Sequence, residues 1–421
     1  MNYIEYMKRE LVPAFGCTEP IALAYTSAKA REILGENPDK IIARVSGNII
    51  KNANSVKVPG TDGRRGLEIS IVSGAFLGDS SRELEVLAGI DKSKLKGCDS
   101  LIEDGIVNIE LVPGIANLYI EIEAHRGENY SKVVVENDHT NIVLIEKNDE
   151  VILSEKRKNS SEESVDFSFN KIYDFAKTCD YRDIKSILDM EINYNYEIAK
   201  EGIKNDWGSN IGSIIYKNAR DFNEELVAYA AAGSDARMSG CEKPVVINSG
   251  SGNQGLTVSV PIIFYARENK INSDELYRAL VFANLIGLYL KQRIGKLSAY
   301  CGVVSAASAA VVGIAYLEGA SEKILEETLS NSLVVNSGLL CDGAKPSCAM
   351  KIASSLRNAF LAYEQAKSGN SFEVGDGIVK PTVDETIRAI GNIAKYGMKK
   401  TDEVILNEML GNENYIKEFS S

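Results

Sequence analysis

The sequence is short of histidine, with two residues in 421, and short of positive charge, with 47 Lys and Arg against 59 Asp and Glu for a formal net charge of −12. Neither His125 nor His139 stands at a metal-ligand spacing, so no histidine metal motif is present. The acidic balance argues against a general nucleic-acid or anionic-membrane binder and leaves a small molecule as the fitting partner. The seven cysteines are odd in number and irregularly spaced, which excludes a disulfide framework and favours metal binding or catalysis. The first ten residues carry charges where a signal peptide needs an apolar stretch, so a cytoplasmic location is expected. An apolar run long enough for a bilayer does occur, the uncharged Leu297 to Leu317, but its Ala, Gly and Ser suit a central, closely packed helix, and no membrane association is expected. The sequence is compatible with a homo-oligomer.

The most informative stretch is Cys341-Asp342-Gly343-Ala344-Lys345-Pro346-Ser347-Cys348. Gly343 and Pro346 forbid a continuous helix between the thiols, so the loop can turn both sulfurs toward one point. An apolar helical pattern starts at Cys348, and another follows Cys301 to Leu317. Cysteines at helix N-termini are favoured as thiolates by the free N–H groups and the dipole. Cys301, Cys341 and Cys348 therefore form a candidate ligand set, the alternative for each being an ordinary buried cysteine. Cys17, in Gly16-Cys17-Thr18-Glu19-Pro20, precedes a third helix, capped by Thr18 or Glu19, and is expected to have a lowered pKa. Cys98 and Cys179 read as structural.

Length suggests two or three domains. Ile41 to Val45 reads as a strand, and alternation between Val107 and Leu153 predicts antiparallel hairpins. Ser154 to Ser168 is polar and reads as an exposed connection. Beyond it the chain is helical, with a capping box at Thr382 and Glu385. The expected fold class is α+β. Residues 1–155 form an α+β region with an antiparallel sheet, 156–167 a connection, and 168–421 a large helical domain, with the site between the two.

Two glycine-rich stretches are candidate ligand loops. Asn54 to Gly66 carries Arg64 and Arg65 and reads as an anion site or a simple turn. Ser249-Gly250-Ser251-Gly252-Asn253-Gln254-Gly255 exposes successive backbone N–H groups and two side-chain amides at a helix start, which makes a cradle for a phosphate or carboxylate. It has neither the Walker pattern nor the dinucleotide spacing. His139, near a strand end, is a candidate base or a backbone-satisfying residue.

These motifs together resemble the L-cysteine desulfidase family, which is related to the catalytic chain of iron–sulfur L-serine dehydratases. The residues that carry the resemblance are Gly16 to Pro20, Pro59-Gly60-Thr61, His139 to Ile142, Ser249 to Gly255, Cys301-Gly302, Cys341-Asp342-Gly343 with Cys348, and Gly397-Met398. The resemblance implies a [4Fe-4S] cluster on Cys301, Cys341 and Cys348 with one iron open, and Cys17 as a catalytic thiolate or fourth ligand. It implies β-elimination of an amino-acid substrate, L-cysteine, to sulfide, pyruvate and ammonia. In that reading Ser249, Ser251, Asn253 and Gln254 hold the carboxylate, Cys17 or His139 removes the Cα proton, and Lys345 or Arg64 adds positive potential. The serine dehydratases resemble this chain less at the C-terminus, where a capping cysteine is replaced by Phe419-Ser420-Ser421. Three alternatives remain at this stage: L-serine dehydration by the same chemistry, a pyridoxal-phosphate eliminase, and a non-catalytic zinc or cluster protein using Cys241, Cys301, Cys341 and Cys348.

Overall fold

The computed structural model describes residues 2–155 and 165–411. The N-terminal part runs α1 (Tyr3–Glu10), β1 (Pro13–Phe15), α2 (Thr18–Leu34), β2 (Lys40–Val45), α3 (Gly47–Ala53), α4 (Leu67–Leu77), α5 (Leu95–Glu103) and then β3 (Val107–Leu111), β4 (Tyr119–Arg126), β5 (Asn129–Glu136), β6 (Ile142–Lys147) and β7 (Glu150–Ser154). The remainder is helical apart from β8: α6 (Phe169–Thr178), α7 (Lys185–Lys204), α8 (Ile211–Asn218), α9 (Phe222–Met238), β8 (Pro244–Val246), α10 (Gly252–Glu268), α11 (Ser273–Ile294), α12 (Gly302–Leu317), α13 (Glu322–Asn336), α14 (Cys348–Lys367), α15 (Val383–Asn392) and α16 (Lys399–Met409). The fold is α+β.

Strands β2 to β7 make one sheet in the order β3-β2-β4-β5-β6-β7. Period-two alternation places Ile41, Ala43, Val45, Ile120, Ile122, Ala124, Val133 and Val135 on the buried face. On the other face Arg44 bonds Glu110 and Glu123 at 2.9 Å each, and Lys132 meets Glu123 at 3.1 Å. The hairpins of β4 to β7 are antiparallel, whereas β2 and β3 run parallel, because α3, α4 and α5 carry the chain across before β3 begins. The sheet is therefore mixed rather than wholly antiparallel.

Helix α2 covers the buried face, and α4 packs on α2, touching it closely at Gly74, where a Cβ would lie 2.2 Å from the Ala24 carbonyl oxygen. No side-chain motion relieves a clash with backbone. Gly74→Val is expected to cost about 3 kcal/mol or more, at the upper end for overpacked sites, read as a lowered urea midpoint.

In the helical part α12 is buried along most of its length and packs against α10, α11, α13 and α14. Its small residues allow this: at Gly313 a Cβ would stand 2.6 Å from Ile262 and 3.0 Å from Ala283. The helix begins at Gly302 and not at Leu297, and among the described residues no helix is long and apolar enough to cross a membrane. The connection expected at 156–167 lies mainly outside the described residues. Its last part is not exposed: Val165 and Phe167 are buried, with Phe167 stacked on Tyr3 and Tyr289.

The N-terminal and helical parts are joined through an antiparallel pairing of β1 with β8, in register Pro13 with Val246 and Phe15 with Pro244. These three-residue strands set the start of α2 against the loop that opens α10, and Thr18 donates to the Gly250 carbonyl at 3.0 Å.

Candidate active site

Cys301 and Cys341 lie forty positions apart in sequence but side by side in space, because Tyr300 and Leu340 form an antiparallel bridge. The Cys301 amide donates to the Leu339 carbonyl at 3.1 Å and the Cys341 amide to the Ala299 carbonyl at 2.7 Å. Cys301 is the N-cap residue of α12, and Cys348 is the first residue of α14. The intervening loop returns Cys348 to the same place through the left-handed Gly343 (φ 94°), where a Cβ would meet the Lys51 carbonyl oxygen at 2.5 Å. All three thiols line one cavity together with His139, Ser249, Ser251, Asn253 and Gln254.

The sulfurs are not electrostatically alike. The close approach of the two thiols raises Cys301 and lowers Cys341, and the nearby Lys51 charge also favours thiolate at Cys341. Burial raises Cys348 despite a backbone hydrogen bond from Lys345, 3.4 Å from its sulfur. Helix N-terminus position alone does not set a thiol's pKa here.

Three sequence-derived candidates do not line the cavity, although the Lys345 charge still acts on Cys348 and Cys341. Cys17 is the N-cap of α2 but sits behind Cys348, in an apolar group with Val56, Met238 and Ala344, its sulfur 3.9 Å from the Met238 sulfur. Burial there pushes its thiol up to about 11, the reverse of the expected lowering. Lys345 is turned to the Asn54 and Lys51 carbonyls. Arg64 does not reach the cavity: its Nε and Nη2 hold Asp99 at 2.7 and 2.6 Å, and its Nη1 donates to the Thr61 carbonyl at 2.9 Å. The fourth thiol of the zinc alternative, Cys241, is in the main hydrophobic core and does not line the cavity.

The cavity also contains charged residues that sequence reasoning passed over. Glu19 is buried; it accepts from Asn52 Nδ2 at 3.0 Å and Thr18 Oγ1 at 3.1 Å, and its Oε1 is 3.6 Å from His139 Nε2. Burial works against its ionisation, yet His139, a backbone amide and Thr18 outweigh it and hold the carboxyl at about 2. Arg237 donates to Asn253 Oδ1 at 3.1 Å and to the Gly16 carbonyl at 2.8 Å. Lys296 is paired with Glu10 at 2.9 Å and with Asp138. Burial lowers Lys291 to about 8, although Cys341 and Cys301 act in the opposite direction. The available signal was charge within apolar sequence: Asp235 and Arg237 interrupt the Ala-rich α9, and Lys291 ends a long apolar helix.

Several polar atoms in the cavity wall are buried without a hydrogen-bond partner among the described residues: both ring nitrogens of His139, Asn52 Oδ1, Arg237 Nε and Gln254 Oε1. Buried polar groups are ordinarily satisfied, so this concentration in one cavity marks a place where a polar ligand completes the bonding.

The fold and cavity define an α+β protein with a buried site of thiols, amides and charged groups between the sheet-bearing part and the helices. The chain belongs to the serine dehydratase alpha chain family, which residues 83–407 match. Similar over nearly their whole length are the proteins named UPF0597 protein from Finegoldia magna, 44% identical across 97% of this chain and 99% of that one, and from Lachnoclostridium phytofermentans, 45% identical across 97% and 99%. A third, from Treponema denticola, is 43% identical across 97% of each chain.

Proposed function

We propose that this protein is an iron–sulfur lyase that removes the β-substituent of a small L-amino acid, with L-cysteine as substrate and sulfide, pyruvate and ammonia as products. One observation carries the reading: three thiols from separate segments line the same cavity as the Ser249–Gly255 loop and the partnerless polar atoms. Membership of the serine dehydratase alpha chain family supports lyase chemistry.

The donor set fits a cluster. Among the described residues no group of three or more His, Cys, Asp or Glu side chains closes on a single ion. Thiolates on a polynuclear centre each take a different iron, so they need a common cavity and not a common point. With Cys241 in the core, the closed four-thiolate zinc site is not assembled. A pyridoxal eliminase would have Lys291 as its amine but leaves the three thiols without a role.

Cys301, Cys341 and Cys348 would hold a [4Fe-4S] cluster, which supplies a Lewis acid for the departing group and for developing negative charge. The chain's own residues supply the rest. The first-turn N–H groups of α10, beginning at its N-cap Ser251, receive the substrate carboxylate, with Arg237 and Asn253 beside them. His139, whose ring nitrogens make no hydrogen bond and whose Nε2 lies 3.6 Å from Glu19, takes the Cα proton, and ionised Glu19 stabilises the imidazolium that results. Loss of the β-group leaves aminoacrylate, which hydrolyses to pyruvate and ammonia. Cys17, high in pKa and outside the cavity, is not the base in this scheme.

The family description favours a second substrate, L-serine, by the same steps with water leaving. The test is anaerobic purification with iron and sulfide analysis, followed by pyruvate assays on L-cysteine and on L-serine. Pyruvate with sulfide from L-cysteine supports the first substrate, and pyruvate from L-serine alone supports the second. A colourless protein that acts on neither, or a borohydride-reducible yellow one, overturns the iron–sulfur reading.

A further inference from the structure

A line of buried side-chain amides leads from the cavity to a carboxyl group in the helical core. Gln254 Nε2 donates to Asn248 Oδ1 at 2.8 Å, and Asn248 Nδ2 donates to Asn284 Oδ1 at 2.9 Å. Asn284 Nδ2 in turn donates to both oxygens of Glu191, at 3.1 and 3.0 Å. Gln254, Asn248, Asn284 and Glu191 are each 0% exposed. Nothing in the elimination scheme uses Glu191.

The line has a direction. Asn284 Nδ2 faces both Glu191 oxygens, and at least one of these is an acceptor in either protonation state, so Asn284 turns its NH2 inward. That leaves Asn284 Oδ1 to accept from Asn248, and Asn248 Oδ1 to accept from Gln254. The last amide therefore has its carbonyl turned away from the line. Gln254 Oε1 is buried in the cavity wall without a partner, at the head of α12, where a Cβ on Gly302 would stand 2.9 Å from it. Lys291, on the same wall, donates to the Lys296 carbonyl at 3.0 Å. A second amide repeats the arrangement: Asn52 donates to Glu19, and its Oδ1 is likewise buried and partnerless.

We infer that Glu191 is a positioning residue whose amide relay fixes Gln254 with its carbonyl oxygen toward the cavity, where that oxygen accepts a hydrogen bond from the α-ammonium group of the substrate. The inference rests on the proposed lyase reading and adds to it how the site tells an amino acid from the corresponding acid without nitrogen. Free rotation of the Gln254 amide would offer NH2 and C=O alternately, and the NH2 face repels an ammonium group. The relay removes that ambiguity. Glu19 is less available for this role, since Asn52, Thr18 and His139 surround its oxygens.

The experiment compares binding of L-cysteine and 3-mercaptopropionate, which lacks only the α-ammonium group, to the anaerobically purified protein by calorimetry. The wild type is expected to prefer L-cysteine by about 10- to 100-fold, the range for one hydrogen bond to a charged group. Gln254→Met removes that preference, and Gln254→Glu, which keeps an acceptor oxygen, retains it. Glu191→Met frees Asn284 to turn and reduces the preference, whereas Glu191→Gln keeps an oxygen for Asn284 and restores it. Circular dichroism and thermal melting of each variant identify any that do not fold. Equal binding of the two compounds by the wild type overturns the inference without recourse to a variant, as does an undiminished preference in folded Gln254→Met or Glu191→Met. Pyruvate formation in the same samples separates this claim from the lyase reading: a wild type that discriminates but makes no pyruvate removes the lyase and retains the relay, and one that makes pyruvate while both Met variants still discriminate removes the relay alone.

Discussion

Cys341→Ala protein, purified without oxygen, is expected to be colourless, to contain less than about a tenth of the wild-type iron and sulfide, and to form no measurable pyruvate. The reason lies in the pairing of segments. Cys341 and Cys301 are held together by the Tyr300–Leu340 bridge, and the Cys341 thiolate is the one favoured by its surroundings, through Cys301 and Lys51. Removing it takes away the most readily ionised sulfur in the cavity, and thiolates are the species that bind metal. Cys301→Ala and Cys348→Ala are expected to act in the same direction. Cys241→Ala and Cys98→Ala are the controls, since neither residue lines the cavity, and both should keep wild-type iron content. Full iron loading in Cys341→Ala would falsify the ligand assignment.

How much of this was legible in the residues themselves follows from the range of each signal. Alternation in β4 and β5 is local, so the hairpins could be read directly. The parallel partner of β2 could not, because its pairing with β3 depends on where three intervening helices bring the chain. The β1–β8 pair could not either, since three residues carry no periodicity. The cysteine loop was legible because Gly343 and Pro346 restrict the path between its thiols. Cys17 does not have the expected lowered pKa because its burial beside Val56, Met238 and Ala344 outweighs the helix N-terminus and the nearby Arg237 and Lys345 charges. Arg64 looked free in a glycine-rich loop, but its partner Asp99 is on α5, thirty-five residues on. Glu19 reads only as a helix cap, and Glu191 does not stand out, because it is one of four acidic residues on the amphipathic α7 and nothing in the sequence shows that its environment alone is apolar. These are facts of tertiary packing, and they also decide which group acts as base.

His139→Asn should lower kcat by about 100- to 10,000-fold, the range for loss of a general base, with KM changed by less than about threefold. Asparagine occupies similar space and keeps a polar group beside Gly250, whose close approach to the imidazole requires the absence of a side chain, since a Cβ there would be 2.9 Å from the ring. Binding is therefore expected to survive while proton removal does not. Glu19→Gln probes the same pair from the other side. Its carboxyl is held near 2 in the folded protein against an ordinary value of 4.5, so it contributes stability that is present above pH 4.5 and lost as the pH falls through about 2. A difference of that size corresponds to about 3 kcal/mol. Glu19→Gln should thus unfold at a lower urea concentration than the wild type at pH 7, and the two should converge as the solution is acidified toward pH 2. The kinetic consequence is separate, because the anion is also needed to stabilise the imidazolium, so kcat should fall in Glu19→Gln even at a temperature where the variant is fully folded. If His139→Asn keeps wild-type kcat while Glu19→Gln loses only stability, the pair is structural and the Cα proton goes to another group.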